Sequence, residues 1–379
     1  MKLFKTKEKE EWYTSKEIDR TNATYRMIIG QRSNGKTYNA IKKVIREYFK
    51  TGTPSVYIRR YAEDIQPKNL TKLMTVHIPL IKKLSGGKYN NVIYRAGEFT
   101  FCYINDDGKT EVKAPTPVLF TAAMNNWERT KGADRGVIKY FIFDEFMTRA
   151  RYLDKEFTIF SNIHSTFVRN REGVITYMIA NTVNKYCPYF EEMGLADNIE
   201  KMKQGQICIW EYNDDRLTVA VEYCLENKQS EFGSFYYAFN NPTLDMIKTG
   251  AWEEDSYPHL DREISINEDN IMAKFYIKFN YRVIIGKIIC ENDKVFVFFH
   301  NAQKDLKPLS SDDIVFTEEP TMYTTWFHTF SDCRVNMPKF GATLNSLLAT
   351  GKVYYSTNAV GEVVRNFMLN KFSPFGGKY

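Results

Sequence analysis

The stretch MIIGQRSNGKTY, from Met27 to Tyr38, constrains this chain more than any other feature, because it joins three elements in a fixed order. Tyr25 to Ile29 is a short apolar strand candidate, G-x-x-x-x-G-K-T follows, and Lys36 to Tyr48 has helical spacing with Ile41, Val44, Ile45 and Tyr48 on one face. Strand, glycine loop and helix make the setting in which backbone N–H groups and a helix N-terminus converge on an anion. Gly30 permits the sharp exit from the strand, and Gly35 lets the backbone come close to phosphates. The intervening Gln31, Arg32, Ser33 and Asn34 complete the cradle. Lys36 is placed to reach β- and γ-phosphates, and the Thr37 hydroxyl to ligate magnesium. A plain helix-capping loop is the alternative.

A second motif bears on that choice. FIFDEF, Phe141 to Phe146, is an apolar strand ending in two carboxylates, about a hundred residues after the loop. A magnesium nucleotide site needs an acid opposite the loop, which Asp144 fits. The adjacent Glu145 suits a base that orients or deprotonates the attacking water. Alone, two acids at a strand end are ordinary solvated charges; after a phosphate loop they read as an ATP- or GTP-hydrolysing site. The separate glutamate favours ATP hydrolysis in the additional-strand (ASCE) class of P-loop enzymes.

TFVRNRE, Thr166 to Glu172, precedes a third strand candidate. Arg169 and Arg171 both qualify by position as an arginine that stabilises transition-state charge, in cis or on a neighbour's nucleotide. Surface ion pairing is the competing reading. Asn181, ending the next strand, sits where a polar sensor could feel the γ-phosphate, or simply where a strand turns.

Further strands are expected at Ser55–Arg59, Val137–Phe143 and Val174–Ala180, so the first half reads as a mostly parallel sheet with helices on both faces. Two hairpin-like insertions are expected, around Ser85-Gly86-Gly87 and around Asn105 to Gly108. The texture divides the chain into a P-loop ATPase domain over 1–225, a linker or lid over 226–265 and a β-rich domain over 266–379. In the last, KFYIKFNYRVIIGKIIC and DKVFVFFHNA read as consecutive antiparallel strands joined at Glu291-Asn292-Asp293, with a closing helix near Val360–Leu369.

Composition removes other classes. No apolar run approaches the length of a membrane span, and the charged N-terminus lacks the apolar centre of a secretory signal, so a cytosolic protein without a membrane partner is expected. Six scattered cysteines without a C-x-x-C pair speak against a zinc site or a disulfide frame. A net charge of +6 permits a polyanionic partner without requiring one.

GQRSNGKT, SVYIRRY, FIFDEF, FVRNREG and IANTVNKYCPYF, in this order and spacing, resemble the DNA-packaging ATPases (terminase-like motors) of small protein-primed, phi-29-like podophages. The resemblance covers most of residues 20–190. It implies a homo-oligomeric ring, expected to be a pentamer, that uses ATP and magnesium to drive double-stranded DNA through the portal of an empty procapsid. It places the protein in the cytoplasm of the infected bacterium, transiently at the portal vertex, and allows a scaffold RNA among its partners. Residue by residue, it gives Gly30, Gly35, Lys36 and Thr37 to the nucleotide, Asp144 to the metal, Glu145 to the water and Asn181 to coupling. It points to Arg169 as the finger acting on the adjacent subunit, with Arg171 as the alternative. Arg32 falls where related motors carry a basic loop residue. Arg59 and Arg60 match a family block without an assignable partner.

The resemblance also implies a C-terminal domain derived from an RNase-H-like nuclease. That chemistry needs clustered carboxylates holding two metals. The first strands carry no interior carboxylate, and Asp312 and Asp313 lack an evident partner, so a catalytically inactive domain that docks on the portal or grips DNA is expected. DNA-contact candidates are Lys82, Lys83 and Lys88 in one basic loop, and Arg129, Lys131 and Arg135 in another; sequence-independent translocation calls for phosphate contacts of this kind. Two other functions stay open: a large terminase with an active nuclease, and a nucleotide-switched assembly protein with little turnover.

Overall fold

The computed structural model describes residues 2–5, 12–130, 135–148, 152–153, 155–169, 171–182, 187–199, 201–212, 217–225, 257–260, 266–279, 282–302 and 307–369. The chain forms two compact units, residues 1–183 with 200–253, and residues 184–199 with 254–379. Residues 184–199, read from sequence as part of the first domain, thus cluster with the second unit. Most of the expected linker, 226–256 and 261–265, lies outside the described residues.

The first unit is built on an eleven-stranded sheet. Its strands are β1 (Lys2–Lys5), β2 (Tyr25–Gly30), β3 (Ser55–Arg59), β4 (Asn91–Arg95), β5 (Glu98–Ile104), β6 (Thr110–Lys113), β7 (Leu119–Ala123), β8 (Tyr140–Asp144), β9 (Ile175–Asn181), β10 (Gln206–Tyr212) and β11 (Leu217–Tyr223). They run in the order β1-β10-β11-β2-β9-β8-β3-β7-β5-β4, with β6 on β5. From β11 to β7 every pairing is parallel. The central strands are buried along nearly their whole length, as a sheet covered on both faces requires.

Its helices are α1 (Lys16–Asp19), α2 (Lys36–Thr51), α3 (Pro67–Thr75), α4 (Ile78–Leu84) and α5 (Glu156–Val168). The face carrying Ile28, Ile142 and Ile179 shares a core with Ile41, Val44 and Ile45 of α2. On β8 the alternate residues Phe141 and Phe143 turn the other way, against Phe160 and Phe167 of α5. Period-two alternation on one strand therefore puts α2 and α5 on opposite faces.

One insertion differs from the sequence reading. Gly86 and Gly87, both at positive φ, close α4, and the hairpin turn lies further on at Ala96-Gly97, between β4 and β5. The Asn105–Gly108 turn does join a hairpin, β5 to β6.

The second unit contains the short helices α6 (Pro188–Glu192) and α7 (Ala196–Ile199), then β12 (Ile271–Phe279), β13 (Arg282–Glu291), β14 (Lys294–Asn301), β15 (Val315–Thr317) and β16 (Trp326–Phe327). Helices α8 (Cys333–Asn336) and α9 (Pro338–Ala349), strand β17 (Val353–Tyr355) and helix α10 (Asn358–Leu369) complete it. The sheet order is β16-β15-β12-β13-β14-β17. An antiparallel meander, β12 to β14, is extended beyond β12 by two parallel strands, the RNase-H-like arrangement, with β17 added at the far edge. KFYIKFNYRVIIGKIIC is thus two paired strands, where the sequence suggested one run. Phe275 lies over Gly286, its cross-strand partner, where a Cβ would come within 2.2 Å of the ring. The ring also meets Phe299, Phe316, Phe330 and Phe340, so glycine here is what lets the aromatic core close. Asp313 accepts from the backbone and hydroxyl of Ser310, a local turn contact, while Asp312 faces solvent.

Candidate active site

The C-terminal ends of β2, β9, β8 and β3 converge because these strands are parallel and in register: Gly30 opposes Asn181, and Asp144 opposes Ile179. Gly30 leaves the strand against Cys224, where a Cβ would lie 2.8 Å from the cysteine Cβ. Gly35 has φ +93° and is the N-cap of α2, with Trp12 packed against it. Positive φ at a helix start, which glycine adopts without strain, turns the loop over the first N–H groups of α2. The loop is held from outside by Tyr13 N–H to Asn34 O (2.9 Å) and by Thr182 N–H to Gly30 O (3.0 Å). Arg32 and Ser33 are exposed; Gln31 and Asn34 are buried.

Lys36 folds back onto its own loop. Its ammonium donates to Gln31 O (2.7 Å), Gly30 O (3.1 Å), Asn34 Oδ1 (3.1 Å) and Asn181 Oδ1 (3.3 Å). Burial pulls its pKa down to about 8, with the Asp144 carboxylate among the groups opposing the shift. The nearby Cys224 thiol is pushed well up, first by burial and then by Glu222, and stays protonated. Thr37 Oγ1 donates to the Asp144 carboxylate, 3.1 Å from both oxygens. These are hard oxygen donors, one at a helix start and one at a strand end, and they suit a magnesium ion.

Glu145 follows in the left-handed region, at φ +60°, with its N–H bonded to Asp144 Oδ1 (3.1 Å). Its side chain is 55% exposed and pairs with Arg59 at 2.6 Å. Arg59 also lies 3.6 Å from Asp144, and Tyr57 donates to Asp144 at 2.8 Å. Burial and then the Asp144 charge push the Tyr57 phenol well above its ordinary range, so it remains a donor. The sequence offered no assignment for Arg59 and nothing for Tyr57. Both lie on the α2 face of β3, and two-residue alternation from a Tyr57 pointing at Asp144 is the signal that links them.

Gly30, Gln31, Asn34, Lys36, Thr37, Asp144 and Asn181 are thereby brought together, with Glu145 at the rim. Arg169 is not among them. It caps the C-terminus of α5 at φ +46°, exposed, its Nε donating to Thr166 O. Arg171 donates to Gly136 O. Both precede the start of β9, at the end of the strands opposite the phosphate loop, since β9 must be traversed to reach Asn181. Lys82, Lys83 and Lys88 are exposed around the end of α4. Arg135 is engaged within the fold: it pairs with Glu98 at 3.0 Å and lies over the rings of Phe120 and Phe167. The Arg129 side chain and Lys131 lie outside the described residues.

With β9 inserted between the phosphate-loop strand β2 and the acid-bearing strand β8, fold and site define an additional-strand P-loop ATPase. The family model for the podovirus DNA encapsidation protein (Gp16) matches residues 7–247, and the chain belongs to that family. Its work is the packaging of viral DNA. Curated relatives include the DNA packaging protein of Bacillus phage B103, 22% identical over 295 residues, 76% of this chain and 82% of that protein. That of Bacillus phage phi29 is 21% identical, over 76% of this chain and 79% of the relative. Among solved structures, the Phi-28 gp11 DNA packaging motor is similar with a TM-score of 0.58 and 18% identity, over 96% of this chain and all (100%) of that one. The phi-29 genome packaging motor assembly gives a TM-score of 0.55 at 17% identity, over 94% and 100% of the two chains.

Proposed function

We propose that this protein is a ring-forming motor that hydrolyses ATP to move double-stranded DNA through a portal into a phage procapsid. The observation that carries the reading is the convergence of Lys36, Thr37, Asp144 and Asn181 at neighbouring strand ends, in a chain of the encapsidation family. In this reading the loop N–H groups and Lys36 bind the phosphates, which replace the loop carbonyls as partners of the ammonium. Thr37 and Asp144 hold magnesium, which neutralises phosphate charge when bound. Glu145 takes a proton from, or orients, the attacking water, and to do so its carboxylate must leave Arg59. Asn181 touches Lys36 already and so senses the change in its partners.

Arg169 serves the neighbouring subunit. Its position at the strand ends opposite its own phosphate loop supports action in trans over action in cis. The second unit contributes docking or grip without cleaving DNA, a reading supported by β12, which carries no carboxylate from Ile271 to Phe279. The portal and the neighbouring subunits of a ring, a pentamer by the family resemblance, are the partners this role calls for, in the host cytoplasm and at the portal vertex, and it leaves room for a scaffold RNA. Lys82, Lys83 and Lys88 are DNA-contact candidates; Arg135 is a weaker one because it is spent on Glu98. The test is the ATPase rate of the purified protein alone, with double-stranded DNA, and with DNA plus procapsids. Stimulation by both supports the motor; a rate unmoved by either refutes it. Metal-dependent cleavage of DNA by the full chain would establish the terminase alternative.

A further inference from the structure

The tandem arginines of YIRRY lie at adjacent positions and face opposite sides of the sheet. Arg59 meets the acids of the nucleotide site, whereas Arg60 turns under the sheet and is 4% exposed. Its guanidinium forms a fork onto Glu156, the first residue of α5, with Nε to Oε2 and Nη2 to Oε1 both at 2.8 Å. The same group reaches back to the turn after β8, donating to Glu145 O at 3.0 Å and to Phe146 O at 2.7 Å. It lies over the rings of Phe143 and Tyr152. Glu156 is itself buried and also accepts from Leu153 N–H at 2.7 Å.

We infer that Arg60 is the positioning residue for Glu145, and that it ties the Glu145 turn to the helix that ends in Arg169. The inference rests on Glu145 acting on the water. A side-chain-bearing residue at φ +60° keeps that backbone only when its surroundings hold it. Among the described residues, the contacts that hold this backbone include Glu145 N–H to Asp144, Phe146 N–H to Ile179 O, and the two carbonyls gripped by Arg60. Of these, Arg60 alone is a side chain that can be removed without touching a site acid or the backbone. Lysine cannot replace it, because a point ammonium lacks the planar fork needed for a carboxylate and two carbonyls at once. A shift of the Glu145 turn is transmitted through the same guanidinium to Glu156. From there α5, 13 residues long and so about 20 Å, reaches Arg169.

The test separates positioning from folding. A buried ion pair can be exchanged for apolar side chains of similar size with little loss of stability, so the double variant Arg60→Met/Glu156→Leu keeps a packed core and loses the grip. With DNA-stimulated wild type as reference, kcat is expected to fall by about tenfold to a hundredfold, the effect of a small misplacement of a catalytic group. Binding of a fluorescent ATP analogue should stay within about threefold, because phosphate loop and metal ligands are untouched. Arg60→Lys should fall with it and not rescue. A folded double variant with wild-type kcat overturns the inference, as does equal loss of binding and turnover. If the double variant melts below the assay temperature, Glu156→Gln carries the same test: it loosens the fork while keeping its shape, and unchanged kcat overturns the inference. An inactive wild type refutes the ATPase reading; an active wild type with Glu145→Gln equally active refutes only the role of Glu145.

Discussion

Lys36 should make nucleotide affinity fall steeply with pH in a range where an ordinary lysine would leave it flat. In the structure burial brings the ammonium down to about 8 from its usual 10.5, and the side chain is 5% exposed, so solvent does little to screen the effect. Phosphates need the cation, and a bound polyphosphate favours it, so binding above pH 8 must take up a proton. The dissociation constant then rises by a factor of about two at pH 8 and about ten at pH 9, relative to neutral pH. Terminal phosphate, ionising near pH 6, contributes nothing in this range. Titration calorimetry at pH 9 in two buffers of different ionisation heat should report close to one proton taken up per nucleotide. Lys36→Arg, which stays charged, should bind with an affinity that is flat from pH 8 to 9.5. The same shift acts on stability with the opposite sign. Between about 8 and 10.5 the unfolded chain holds more protons than the folded one, so this group adds stability to the nucleotide-free protein as pH rises, by about 3 kcal/mol at most. A nucleotide affinity independent of pH up to 9.5, or binding without proton uptake, refutes the reasoning.

Glu145→Gln should bind ATP normally and lose about 10²- to 10⁴-fold in hydrolysis, read in single-turnover assays. In mixed rings those subunits should not be rescued by neighbours, whereas Arg169→Ala should silence the adjacent site; normal hydrolysis by an all-Arg169→Ala ring would refute the finger. Gly30→Ala should cost about 1–3 kcal/mol by overpacking against Cys224, measured by denaturant melts. Cys224→Gly should relieve that cost and Cys224→Ala should not, because the clash is with the cysteine Cβ. His77 is buried beneath Tyr38, its two ring nitrogens without a hydrogen-bond partner among the described residues, and burial holds its pKa at about 4. Its folded pKa is depressed, so stability should be lost as pH falls from 6.5 towards 4; His77→Phe should raise Tm and flatten that loss.

Much of the site was legible because its chemistry is written locally. A phosphate loop needs glycines, a lysine and a hydroxyl within eight residues, and a metal acid needs an apolar strand before it; short spacing fixes both. The four first-unit strands named from the sequence are strands in the structure, with β8 starting later than its apolar run suggested, while β1, β7, β10 and β11 were not named. Arg169 could be nominated from sequence, but only the direction of β9 put it at the strand ends away from its own phosphates. Sequence left Arg59 and Arg60 as a pair of like charges. Their opposite duties follow from alternation along a strand covered on both faces, which shows only when the partners, Glu145 on one side and Glu156 on the other, are in place.

By itself, then, the sequence determined the covalent order of the nucleotide-binding groups, the apolar periodicities of the strands and α2, and the family to which these motifs belong. Tertiary structure decided which strand ends meet. It inserted β9 between β2 and β8, bringing Asn181 to Lys36 and Asp144 to Thr37 across gaps of over a hundred residues. It folded one long apolar run of the second unit into two strands around Phe275 and Gly286. It also set Glu145 in a left-handed turn held by a buried arginine. Such contacts depend on parallel register and on the burial of charges among partners distant in the chain, and no local pattern encodes either.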